Sequence, residues 1–305
     1  MQVSIAYLAV LLIWSTTPLG IVWSSESISP TMAVLLRMVI AVVLGSMIIV
    51  IRKIELPWHK QAMRLYAFSA LGIFGGMSFS YLAAGYLSSG ILSLVFGLAP
   101  AFSAILARRI LAEPKISTLR KLSMTLSFIG LGFVCAENFS LNGDSIYGFI
   151  FVLIAVFLFS LSGVLVKSVS LAIHPMATTV GALTLSLPLF IINWLLLDGS
   201  IDISQWQVRS IWATLYLGVF GSLIGFFAYF FVLQRLTAST VALITLITPV
   251  IALTLGTVLN DEVIHSKLII GALLVISGLA IYHWGELFVD KYQQKLQIIK
   301  KTKLG

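Results

Sequence analysis

LYAFSALGIFGGMSFSYLAAGYLSSGILSLVFGLAPAFSAILA, residues 65–107, runs for 43 residues without one charged side chain. A helix crosses a bilayer with about 20 mostly apolar residues. The stretch is therefore two spans, and the polar Ser88-Ser89-Gly90 marks the turn between them. A membrane β-barrel would alternate apolar and polar residues over about ten positions. Runs such as Val39 to Ile51 are continuously apolar instead. Helices satisfy their own backbone hydrogen bonds in lipid, so the consistent reading is all-helical.

The same punctuation divides the rest of the chain. Residues 1–25 carry no side-chain charge before Glu26, and a second run from Ser29-Pro30 ends at Arg52-Lys53. Arg108 and Arg109 close the fourth span, and the fifth covers 119–136. Five more follow at 145–167, 175–197, 209–234, 236–259 and 266–285, so an all-α integral membrane protein of ten transmembrane helices is expected. The first twenty residues lack a basic leading region and an A-x-A cleavage site, which marks them as a retained helix rather than a signal peptide.

Composition agrees. Hydrophobic residues make up 59% of the 305 and charged residues 10%, against about 25% charged in soluble domains. A mean hydropathy of +1.07 excludes a soluble enzyme, a secreted disulfide scaffold, a disordered chain and a nucleic-acid binder. The single cysteine, Cys135, cannot form an intrachain disulfide. The net charge of +8 is a matter of orientation. With both termini cytoplasmic, sixteen of the nineteen Lys and Arg fall on the inner side, as the positive-inside rule requires. Arg209 and Lys267 fall outside, and Arg37 lies within a span. The tail after Gly285 mixes Leu287, Phe288 and Tyr292 with five lysines. It suits either anionic lipid or a solvated helical extension.

The chain also repeats itself. A shift of 149 positions pairs Gly72 with Gly221, Gly76 with Gly225, Pro100 with Pro249 and Glu113 with Glu262. A shift of 145 pairs Ser15 with Ser160 and Pro30 with Pro175. Five helices per copy is an odd number, so the second copy enters the membrane from the opposite side. Such an inverted repeat places a substrate site near the midplane between the halves. The expected units are 1–140, 141–287 and a basic cytoplasmic tail at 288–305.

LLIWSTTPLGIV at 11–22, SPTMAVLLRMVIA at 29–41, APAFSAILARRILAEP at 99–114 and TPVIALTLGTVLNDE at 248–262 resemble the drug/metabolite transporter superfamily in its EamA-type branch. The likeness covers residues 3–285. It implies ten-helix carriers that work by alternating access, with no single substrate. The branch's usual Trp-Gly in the first helix is Trp14-Ser15 here.

Several residues are candidates for the site, each with a structural alternative. Arg37 stands two helical turns below the outer surface. A charge within a span is costly and faces protein or water, so it either binds an anionic or carboxylate substrate with its fork or serves as a structural cation. The cluster Trp14 to Pro18, with Thr17 in it, and its counterpart around Ser160 form either a paired cavity wall or a small-residue packing face. Gly72-x-x-x-Gly76 and Gly221-x-x-x-Gly225 set packing, while Ser78, Phe79, Tyr81 and Tyr229 beside them are cavity candidates, as are Phe96 and Thr245. Pro18, Pro100 and Pro249 are bends, either static or switching. Glu113 and Glu262 end the fourth and ninth helices on opposite faces, where each pins a loop through backbone N–H groups or a nearby cation; proton coupling is the less favoured alternative, because neither is deep.

No Asp or Glu lies mid-span, so a facilitator or exchanger, or coupling without a buried carboxylate, is expected. His59, His174, His265 and His283 are scattered, and neither a metal site nor a cofactor is expected. The function expected is secondary transport of a small, amino-acid-like metabolite, in the export direction, across the cytoplasmic membrane. A channel-like or broad-specificity efflux protein is the alternative, and a membrane-embedded enzyme is the least favoured. The partners expected are a small-molecule substrate and the lipid bilayer, not nucleic acid, with the protein a monomer or weak dimer.

Overall fold

In the computed structural model, the described backbone covers residues 2–302 except 114–115, 142, 172, 237–240 and 242–243, and the side chains of 137–141, 245–246, 283 and 286–302 lie outside the description. The helices are α1 (Val3–Ser24), α2 (Pro30–Arg52), α3 (Lys60–Ala84), α4 (Ser89–Phe96), α5 (Ala99–Ile110), α6 (Thr118–Leu141), α7 (Ser145–Lys167) and α8 (Pro175–Leu197). Then come α9 (Val208–Tyr216), a π-helical segment (Leu217–Ile224), α10 (Gly225–Arg235), α11 (Ile244–Asn260) and α12 (Ser266–Thr302).

Local chemistry sets the boundaries. Ser29 accepts from the Met32 amide at 3.4 Å with Pro30 in the first turn, and α2 stops at Lys53 in the left-handed region. At the start of α8, His174 Nδ1 accepts from the Met176 amide at 3.2 Å, again before a proline. Proline is tolerated there because the first amides have no helical partner. Pro100 stands in the first turn of α5, just after the fourth expected span breaks between Phe96 and Ala99. By contrast, α1 runs through Pro18 and α11 through Pro249.

Among the described residues, eight helical stretches are long and apolar enough to cross a membrane, and Ile247–Asn260 and Ser266–Tyr282 are shorter apolar helices. The ninth expected span, 236–259, includes residues outside the description. The tenth does not stop at 285, because α12 continues to Thr302. Leu8, Val43, Val50, Leu122, Ile192, Leu196 and Val258 are all more than half exposed. A surface this apolar needs lipid around it.

The packing interleaves the two halves of the chain. α3 packs against α7 and α8, while residues 217–235 pack against α2 and α1. α5 packs against α7, α1 against α11, and α2–α8, α4–α11 and α6–α12 are paired directly. The absence of a Cβ permits two of these approaches. At Gly72 a Cβ would lie 2.5 Å from Ser162, and at Gly221 it would lie 3.0 Å from Arg37 Nη2.

Two helix ends are copies of one another. Ala112 and Asp261 both have positive φ, 52° and 49°. The Glu113 amide donates to the Ala107 carbonyl and the Glu262 amide to the Gly256 carbonyl. Both bonds span six residues and close a helix end just after a left-handed residue, a wider return than the five-residue Schellman bond.

Candidate functional site

Midway along α1, the buried hydroxyls turn back on their own helix. Ser15 Oγ donates to the Leu11 carbonyl at 2.7 Å and Thr17 Oγ1 to the Ile13 carbonyl at 2.7 Å. Ser80 in α3 does the same to Gly76 at 2.6 Å. Each keeps a polar group satisfied away from water, and each uses the hydroxyl proton inside the helix.

These helices surround a cavity of about 80 Å³ lined by Trp14, Thr17, Pro18, Ile21, Arg37, Met77, Ser80, Leu92, Ser93, Phe96, Phe159, Gly221, Phe226 and Thr248. It has apolar walls, several hydroxyls and one cation. Arg37 is 1% exposed. Its Nε donates to Ser222 Oγ at 2.6 Å, while the Ser222 hydroxyl points its proton at Met38 Sδ, 3.9 Å away. Arg37 Nη1 is buried with no hydrogen-bond partner.

A second cavity, of about 170 Å³, follows α5 from Pro100 to Glu113 and is bounded across by Gly163, Lys167, Tyr229 and Leu233. Trp14 and Phe159 line both cavities. With Tyr229 they form a triangle of rings, with centroids 5.6 Å apart for Trp14–Phe159, 5.1 Å for Trp14–Tyr229 and 5.6 Å for Phe159–Tyr229. This triangle separates the two spaces.

The opposite end of the molecule is tied shut. The Glu262 carboxylate accepts from the Ser89 amide at 2.9 Å and the Gly90 amide at 3.2 Å, where α4 begins and where the helix dipole favours an anion. Trp23 Nε1 donates to Asn260 Oδ1 at 2.7 Å. Arg209 and Glu26 form a salt bridge at 2.6 Å, the Gln207 amide donates to Ser27 Oγ at 2.8 Å, and Ser29 bonds Asp198. Each of these ties joins a residue before 91 to one after 197.

Of the expected site residues, Trp14, Thr17, Arg37 and Phe96 meet in the first cavity beside Pro18, and Tyr229 lies on the wall of the second beside Pro100 and Glu113. The others stand elsewhere. Tyr81 is buried with its hydroxyl accepting from Ser24 Oγ at 3.4 Å. Phe79 packs on Phe151 at 6.1 Å between centroids. Ser78 is buried with an unpartnered hydroxyl. Ser160 donates to the Ala99 carbonyl at 3.2 Å. The helical turn explains the difference: Met77 and Ser80 of α3 line the cavity, and Ser78 and Phe79 between them point elsewhere. The side chain of Thr245 lies outside the described residues. Ser222 was not foreseen. Its partner Arg37 is 185 residues away in sequence, and no local pattern marks it. Phe159 was legible only as the repeat's counterpart of Trp14.

A family model described as the EamA-like transporter family matches the chain twice, at residues 2–136 and 146–283. An uncharacterized transporter of Archaeoglobus fulgidus is 27% identical over 269 residues, covering 88% of this chain and 94% of that one. The uncharacterized transporter YoaV of Bacillus subtilis is 22% identical over 280 residues, covering 91% and 95%. Protein PagO of Salmonella typhimurium is 26% identical over 285 residues, covering 90% and 91%. A solved structure, titled only as the crystal structure of a protein, superposes with a TM-score of 0.65 at 18% identity, covering 92% of this chain and 95% of the other. That last likeness is one of fold.

Proposed function

The chain belongs to the EamA-like transporter family and is a multi-pass membrane transporter, and on that basis we propose that it moves a small metabolite across the cytoplasmic membrane by alternating access, as a secondary carrier working in the export direction. The observation that carries this is the contrast between the two ends around one central cavity. One end is cross-tied through Glu262, Asn260, Arg209 and Asp198. Toward the other end lies a cavity of about 170 Å³, with an aromatic triangle between it and the inner chamber. The basic clusters support an outward placement of the tied end, and on that reading the conformer faces inward. Its substrate, amino-acid-like in size, enters past Trp14, Phe159 and Tyr229.

The reading takes the chain as ten membrane helices in two inverted five-helix units, 1–140 and 141–287, with 288–305 as a basic cytoplasmic tail and both termini inside. Two observations support it. The packing pairs are preserved when each helix is exchanged for its counterpart: α3 on α7 and α8 answers 217–235 on α1 and α2. The closures at Ala112-Glu113 and Asp261-Glu262 are the same motif 149 positions apart. Two like halves of opposite insertion can exchange conformations, which turns the inward cavity outward.

Counterflow in proteoliposomes tests the reading. The expected result is saturable uptake that is accelerated by internal substrate. Uptake that neither saturates nor responds to internal substrate would replace the carrier with a channel.

A further inference from the structure

We propose that the central cavity binds its substrate through a single carboxylate, that Arg37 is the group that holds it, and that the body of the ligand is apolar and carries no positive charge. This rests on the carrier reading above and replaces its amino-acid-like cargo with a monocarboxylate of similar size.

A guanidinium stays protonated, so Arg37 brings a full charge into a chamber where it is 1% exposed. No ion pair is formed for it among the described residues, whose acidic groups stand at helix ends. Ser222, a neutral acceptor, takes only Nε, and Nη1 is left buried without a partner. A buried charge without a counterion costs several kcal/mol. The repeat does not demand that cost, because the shift of 145 places Ala182 opposite Arg37. One half carries the charge and the other does not.

The charge balance selects the ligand. A monoanion brings the chamber to zero. A dianion such as a phosphate monoester leaves it negative, with no second cation on the wall. A zwitterion brings its own ammonium and leaves the Arg37 charge uncancelled, and no carboxylate lines the chamber to receive that ammonium. The donors are also few. The Thr17 and Ser80 hydroxyl protons are committed to Ile13 and Gly76; Ser93 and Thr248 offer neutral hydroxyls, and Arg37 is the one charged donor on the wall, with a fork that matches the two oxygens of a carboxylate. The remaining wall is made by Trp14, Ile21, Met77, Phe96, Phe159 and Phe226, which suits an aliphatic or aromatic body.

The test uses the purified full chain in detergent and a series of straight-chain and aryl monocarboxylates, each beside its neutral amide and its α-amino acid. Phenylacetate, phenylacetamide and phenylalanine make one such set. Thermal stabilisation and tryptophan fluorescence read binding. At least one acid is expected to stabilise the protein saturably, with its amide weaker by about 30-fold or more, as for removal of one partner of a buried charge pair, and its amino acid weaker by a like factor of about 30-fold, because the added ammonium is buried without a counterion. Arg37→Gln is expected to lose the acid's advantage over its amide, and Arg37→Lys to retain part of it. If no acid in the series binds, or if acid and amide bind alike, the proposal is overturned. Should Arg37→Gln fail to fold, the acid–amide comparison on the unaltered chain still decides. Counterflow of the stabilising acid separates the two readings. Binding that needs the carboxylate but gives no counterflow leaves the Arg37 site standing and removes the carrier. Counterflow of amides as fast as of acids leaves the carrier standing and removes the carboxylate.

Discussion

Ala112 holds a left-handed backbone conformation without being glycine, which costs an ordinary L-residue about 1–2 kcal/mol. Ala112→Gly is expected to raise thermal stability by about 1 kcal/mol. Asp261→Gly should gain less, because Asp tolerates this region better. Melting of the two purified variants against the parent checks both the sign and the order. Trp14 and Tyr229 make two corners of the aromatic triangle. Trp14→Ala and Tyr229→Ala are expected to slow transport several-fold while leaving the protein folded in the membrane. Unchanged kinetics in both would remove the triangle from the route. Arg37 was legible as a costly charge within a span, but its bond to Ser222 was not. A contact across 185 residues leaves no periodic trace in a composition this apolar.

Helix ends were more legible than helix faces. Proline after a cap residue marked the starts of α2 and α8, and Pro100 marked the break that separates α4 from α5. Facing was harder, since α3 is apolar around most of its circumference and gave Ser78 and Phe79 the same appearance as Met77 and Ser80. The most consequential element contact is the seat of the Glu262 carboxylate on the first amides of α4. A Cβ at Gly256 would overlap that carboxylate and crowd Ser89 Oγ. Gly256→Val should therefore unseat Glu262, and Glu262→Gln should weaken it by removing the charge that the helix start favours. Both are expected to raise the outward-open fraction. The check is maleimide labelling from outside of a cysteine placed at Ser93, in a background with Cys135 replaced. Labelling unchanged from the parent would show that this contact does not hold the outer end closed.

The molecule as a whole is two sequence repeats whose helices pack mainly across the halves rather than within them. α3 leans on α7 and α8, and α1 leans on α11, so neither half is expected to fold alone. Separate expression of residues 1–140 should yield protein that aggregates on extraction, while coexpression with 141–305 restores a detergent-stable complex, as followed by size-exclusion chromatography. The orientation is open to the same labelling chemistry. Cysteines at Lys60 and Ile116 should react with an impermeant reagent only after the membrane is opened, because both stand at the basic end.

Membrane residence and the near-complete set of spans came from composition and from charges used as punctuation, because lipid penalises every charge on its own, wherever the neighbours lie. The duplication came from Gly, Pro and Glu in common register, since those residues mark backbone geometry that both copies need. The tertiary structure alone decided which faces meet: the pairing of Arg37 with Ser222, the closed end and the cavity end, and the ring triangle between the chambers. Those depend on helix rotation and on contacts between distant segments. A helix that is apolar all round carries almost no information about its own rotation.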